Sequence, residues 1–201
     1  PDPTLVGVMS GIEMACWDII GKDAGKPVYD LLGGRVHERI RTYTYLYPAD
    51  GRPDVYTDPA QAAEQAAFEV ARGFTAVKFD PAGPYTAFDG HQPSLEDIER
   101  SVAITGAIRE AVGSRADLLF GTHGQFTAAG AIRLAQRLEP FDPLWFEEPT
   151  QPDQPEEMAQ VARQTSIPVA TGERLTTITE FAALARHHAA AIWQPNLGRC
   201  G

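Results

Sequence analysis

The chain has 201 residues, a formal net charge of −10, 43% hydrophobic residues and 22% charged residues. These are the values of an ordinary globular protein with room for one sizeable core. The acidic balance excludes the basic footprint of a nucleic-acid binder, and neither a bilayer-length apolar run nor a signal peptide is read. Cys16 and Cys200 lie far apart and form no framework, so a reducing, cytoplasmic compartment is expected.

The first predicted element is a helix over 8–24. It places Ile12, Cys16, Ile19 and Ile20 on one face, with Ser10 as cap and Gly25 and Pro27 past its end. A short helical turn over 28–32 stops at Gly33-Gly34. Residues 40–46 alternate Ile/Thr/Thr with Arg/Tyr/Tyr and read as a strand. Asp58 then caps a helix with Pro59 at its first position, ending at Gly73. A strand follows over 74–79. Ser94-Leu95-Glu96-Asp97 resembles a capping box and opens a helix to about Gly113. The remaining strands are predicted over 116–120, 143–146, 167–171 and 190–194. Helices lie between them: Thr127 to Leu138, Gln154 to Gln164, and one opened by Thr177-Ile178-Thr179-Glu180 and ending at His187. The segment 81–93, with Tyr85, Phe88 and His91, is long for a connection and is expected to contribute to a lid.

Strands alternating with helices imply a parallel sheet with right-handed crossovers. An open doubly wound sheet usually carries a Gly-rich turn after its first strand. Here that turn is Tyr47-Pro48-Ala49-Asp50-Gly51-Arg52-Pro53, with no such pattern. Polar residues instead end several strands: Lys78, Asp80, His123, Glu147, Glu173 and Asn196. That distribution favours an α/β fold of the (β/α)8 TIM-barrel type, truncated to about six βα units. The chain begins Pro1-Asp2-Pro3 and stops at Cys200-Gly201 directly after a strand signal, so it reads as a piece of a longer protein. Glu147 and Glu173 close successive strands and would point at one mouth. Two carboxylates about 4 Å apart repel by roughly 4 kcal/mol at an effective dielectric near 20, and a divalent metal relieves this.

The stretch from Ser10-Gly11-Ile12-Glu13-Met14-Ala15-Cys16-Trp17 to Leu32-Gly33-Gly34 resembles the segment preceding the barrel in the mandelate racemase/muconate lactonizing group of the enolase superfamily. So do the Lys78 strand, Thr122-His123-Gly124, Phe146-Glu147-Glu148-Pro149, Thr171-Gly172-Glu173-Arg174 and Gln194-Pro195-Asn196-Leu197-Gly198. Their order and spacing agree over nearly the whole chain. The resemblance implies that residues 1–38 end an α+β capping domain and that residues 39–201 are a partial catalytic barrel.

It also implies a Mg2+ site with three acidic ligands, two of them Glu147 and Glu173. The first ligand position holds Gly121, which has no side chain to coordinate. Lys78-Phe79-Asp80 stands where racemases carry Lys-x-Lys, which resembles the acid-sugar dehydratase branch. On that reading Lys78 binds a carboxylate or sets local pKa values, and Asp80 binds a hydroxyl or begins a turn. His123 is the general acid that protonates a departing β-hydroxyl. Gln125, Arg174 and Asn196 are substrate-binding positions, and the base is a histidine on a seventh strand. The implied activity is dehydration of a sugar acid by a homo-oligomer, with no nucleic acid or membrane partner. A racemase or cycloisomerase on the same scaffold, and a non-catalytic relative with a degraded metal site, are the alternatives.

Overall fold

A computed structural model describes residues 3–80, 82, 83, 86 and 89–200. Helix α1 (Pro3–Ala24) and the single turn α2 (Val28–Leu31) come first. Six units then follow: β1 (Thr44–Tyr45), α3 (Pro59–Ala71), β2 (Ala76–Phe79), α4 (Leu95–Val112), β3 (Asp117–Gly121), α5 (Ala128–Leu138), β4 (Trp145–Glu147), α6 (Pro155–Ala162), β5 (Val169–Thr171), α7 (Ile178–His187), β6 (Ile192–Trp193) and α8 (Leu197–Cys200).

All six strands form one sheet in the order β1-β2-β3-β4-β5-β6, and every adjacent pair is parallel. A doubly wound sheet reverses its order at a switch point. Here each strand is laid beside the one before it, as in a barrel wall.

Strand alternation sorts the side chains between the two faces. Val77 and Phe79, Leu118 and Phe120, and Phe146 and Val169 join the core under the helices. Phe120 meets Phe79 and Phe146 edge-on, at centroid distances of 5.7 and 5.4 Å, the geometry aromatic quadrupoles favour. The intervening residues Lys78, Gly121 and Glu147 therefore belong to the opposite, inner face.

The helices cover the sheet with matching stripes. In α5, Ala128, Ala131, Leu134, Ala135 and Leu138 are buried, the i, i+3, i+4 spacing of one helical face. Ser94, Thr127 and Thr177 cap α4, α5 and α7 as expected. Their oxygens accept from the N–H groups of Asp97, Gly130 and Glu180, and Glu180 completes a reciprocal capping box.

Several expectations are corrected. α1 starts at Pro3, so Ser10 lies within it and its hydroxyl donates to the Leu197 carbonyl at 3.4 Å instead of capping. Ile12, Cys16, Ile19 and Ile20 of that helix are exposed. By length and hydropathy alone, Thr4–Ala24 is also long and apolar enough to cross a bilayer, contrary to the expectation of no such run. β1 covers two residues, not 40–46. Only Thr44 and Tyr45 pair with β2, while Arg41 holds the preceding backbone through its side chain, donating to Thr75 Oγ1 at 2.8 Å and pairing with Asp117 at 2.6 Å. α8 was not anticipated; Asn196 Oδ1 caps it, accepting from Gly198 N–H at 3.0 Å. Tyr85 and Phe88 of the expected lid, with Pro81, Pro84 and Ala87, lie outside the described residues.

Candidate active site

The C-terminal ends of the strands enclose a cleft of about 580 Å3. It is lined by Tyr43, Tyr45, Tyr47, Lys78, His123, Trp145, Glu147, Glu173, Gln194, Pro195 and Asn196. Together they come from all six strands or the segments beside them, the arrangement that lets a barrel concentrate chemistry at one mouth. Of the residues singled out from sequence, Lys78, His123, Glu147, Glu173 and Asn196 share this cleft. Asp80, Gln125 and Arg174 stand behind its lining.

Lys78 and Glu147 form the centre. Lys78 Nζ lies 2.7 Å from Glu147 Oε2, and the two side chains are 9% and 3% exposed, so water does little to screen them. Burial alone would lower the Lys78 pKa. The Glu147 carboxylate and its hydrogen bond, with Tyr43 and Glu173, outweigh burial and raise it above the ordinary value. The ammonium therefore stays charged. It also lies 5.9 Å from the Tyr43 ring and 6.0 Å from the Tyr45 ring, within cation–π range. Gln194 Nε2 donates to Glu147 Oε2 at 3.3 Å.

His123 and Asp80 form a second pair. His123 Nδ1 is 3.2 Å from Asp80 Oδ2, an N–H···O bond when Nδ1 carries the proton. Burial raises the Asp80 pKa, and the opposing pull of His123, Ala82 N–H and Lys78 does not cancel it.

The loop bearing His123 is pinned from three sides. Thr122 Oγ1 donates to the carbonyls of Glu147 and Glu148 at 2.6 and 3.0 Å. Gly124 N–H donates to the Glu148 carbonyl at 2.7 Å. Arg174 donates through Nη2 to the His123 carbonyl at 2.6 Å and through Nε to Glu148 Oε2 at 2.8 Å. Gly124 has φ +70, and a Cβ there would lie 2.6 Å from Arg174 Nη2, so glycine is required on both counts. Arg174, expected to bind substrate, is thus engaged in holding the loop. Burial still raises the Glu148 pKa, although Arg174 draws it down. Gln125 is 1% exposed, and its carbonyl accepts from His91 N–H at 3.0 Å.

The donor set does not match the three-acid Mg2+ site that the resemblance implied. Glu147 is committed to Lys78. Glu173 Oε1 lies 3.9 Å from Arg199 Nη2. Position 121 offers no ligand, and the stem of Lys78 fills the space above it. Among the described residues, no three His, Cys, Asp or Glu side chains converge as ion ligands.

Sequence reasoning missed the aromatic wall of Tyr43, Tyr45, Tyr47 and Trp145, in which Tyr43 meets Trp145 edge-on at 5.5 Å. The signal was present: Tyr43, Tyr45 and Tyr47 recur with period two and so share one face. Burial and the nearby Asp80 carboxyl hold the Tyr45 phenol well above its ordinary pKa, so it remains a neutral O–H.

The profile of the enolase C-terminal domain-like family matches residues 61–201. This chain belongs to that family. Among curated members, a D-gluconate dehydratase from Thermoproteus tenax is 37% identical over 86% of this chain and 33% of its own length. A D-galactonate dehydratase from Ralstonia nicotianae is 36% identical over 99% of this chain and 49% of its own. Among solved structures, a mandelate racemase/muconate lactonizing enzyme-like protein from Roseovarius sp. TM1035 is 62% identical. It superposes with a TM-score of 0.95 over 100% of this chain and 51% of its own. The chain therefore spans between a third and about half the length of these family members.

Proposed function

We propose that the protein dehydrates a sugar acid. One observation carries the reading: the Asp80–His123 pair and the Lys78 ammonium serve the same strand-end cleft. The curated relatives named as D-gluconate, D-galactonate and D-xylonate dehydratases supply the substrate class.

Lys78 anchors the substrate carboxylate. The α-carbon gives up its proton to a base, which the resemblance assigns to a histidine on the strand after β6. The C–H electron pair first delocalises onto the carboxylate held by Lys78, and then forms the C=C bond as the β-carbon–oxygen bond breaks. The leaving hydroxide takes its proton from His123 and departs as water. With Nδ1 bonded to Asp80, the imidazolium delivers the proton from Nε2, and Asp80 fixes the ring's direction. The enol product then tautomerises to a 2-keto-3-deoxy acid. The neutral Tyr45 hydroxyl and the aromatic wall would seat the polyhydroxy chain. No step in this reading passes through a metal.

The test is incubation with D-gluconate, D-galactonate and D-xylonate, followed by mass spectrometry for a product one water lighter. His123→Asn should strongly slow formation of that product while leaving exchange of the α-proton with deuterated solvent. If none of the three acids, nor their epimers, loses water, the reading fails.

A further inference from the structure

Gly121 ends β3 in register with Glu147 of β4. A Cβ built on it would lie 2.6 Å from Lys78 Cε, 3.4 Å from Cγ and 3.6 Å from Cδ. The first of these is closer than real Cβ atoms come, so any side chain at 121 must displace the lysine stem. A flexible lysine would ordinarily swing aside. This one is fastened at its far end, by Glu147 at 2.7 Å and by two tyrosine rings. The missing carboxylate at 121 and the ion pair at 147 are therefore one arrangement: glycine opens the channel through which the ammonium reaches Glu147.

We propose that Lys78 is the resident cation of this cleft, seated on Glu147 where a divalent ion would otherwise bind, and that it meets the carboxylate of an incoming acid directly. An ammonium gives one positive charge and three donors on a compact head. A metal ion on Glu147 would be set against this ammonium, because like charges at that separation repel.

The carboxylate-binding half rests on the dehydratase reading, whereas the exclusion of metal does not. The deciding measurement therefore uses Mg2+ alone, without any sugar acid. Calorimetric titration should find Mg2+ binding at least tenfold tighter in the double variant Lys78→Met/Gly121→Asp than in the unaltered protein. The melting temperature of the unaltered protein should be the same in millimolar Mg2+ and in chelator. Equal Mg2+ affinities, or a melt of the unaltered protein that rises with Mg2+, would overturn the proposal. Should the double variant not fold, Gly121→Ala provides the second arm. Its methyl group pushes Lys78 off Glu147, so its melt should become Mg2+-dependent, and a melt indifferent to Mg2+ would count against the idea equally.

Discussion

The Asp80 carboxylate lies 3.2 Å from His123 Nδ1 and ties the end of β2 to the loop after β3. This contact converts an imidazole at the rim of a cleft into one with a fixed direction. An acid–imidazole pair of this kind sets which ring nitrogen faces the substrate.

Removing the donor should cost most. His123→Asn is expected to lower the dehydration rate by about 10²- to 10⁴-fold, the usual contribution of a positioned general acid. Asp80→Asn should cost about ten- to a hundredfold and shift the alkaline limb of the kcat–pH profile, because the amide cannot stabilise an imidazolium. Equal pH profiles for the unaltered protein and Asp80→Asn would remove Asp80 from the mechanism.

Asp80 also predicts a pH dependence of stability. Its folded pKa is raised above 3.8, chiefly by burial. From that value up to the raised one, the folded state holds more protons than the unfolded state, so this group's contribution falls as pH rises. The melting temperature of the unaltered protein, relative to Asp80→Asn, should therefore drop as pH rises above 3.8 and stay level once the raised folded pKa is passed. A constant difference across that range would contradict the assignment.

The Lys78–Glu147 pair should show strong coupling. Lys78→Met leaves a buried carboxylate without its cation, and about 3–5 kcal/mol of stability should be lost. Lys78→Met/Glu147→Gln should recover most of it, because no buried charge remains. Denaturant unfolding of both single variants and the double variant measures the coupling directly.

Gly124→Ala tests the loop. The positive φ and the close approach of Arg174 together predict a loss of about 1–3 kcal/mol in a thermal or denaturant melt. Activity should fall further than stability, since the substitution displaces the arginine that holds the His123 carbonyl.

Much of this molecule is legible in its residues, and the rest fails for physical reasons. Glu147, Glu173 and His123 stand out because each follows a short apolar strand, so position and chemistry are both local. The caps at Ser94, Thr127 and Thr177 are local too, and they occur where expected. Lys78 meeting Glu147 across the face of β3 is not local: no spacing rule links the two positions, and only the register of three strands brings them together. The same holds for Arg174, whose motif suggested a ligand-facing side chain but whose partners belong to the two preceding units. The alternation over 40–46 overstates β1 because alternation signals a face, while a strand also needs a paired backbone, and the Arg41 side chain substitutes for that pairing.

A barrel is commonly treated as a set of interchangeable loops on an inert frame. Arg174 breaks that modularity. It leaves the loop after β5, neutralises an acid after β4 and grips the peptide carrying the imidazole after β3. An engineer who swaps the fifth loop to retune selectivity would also be rewiring the proton donor two units away.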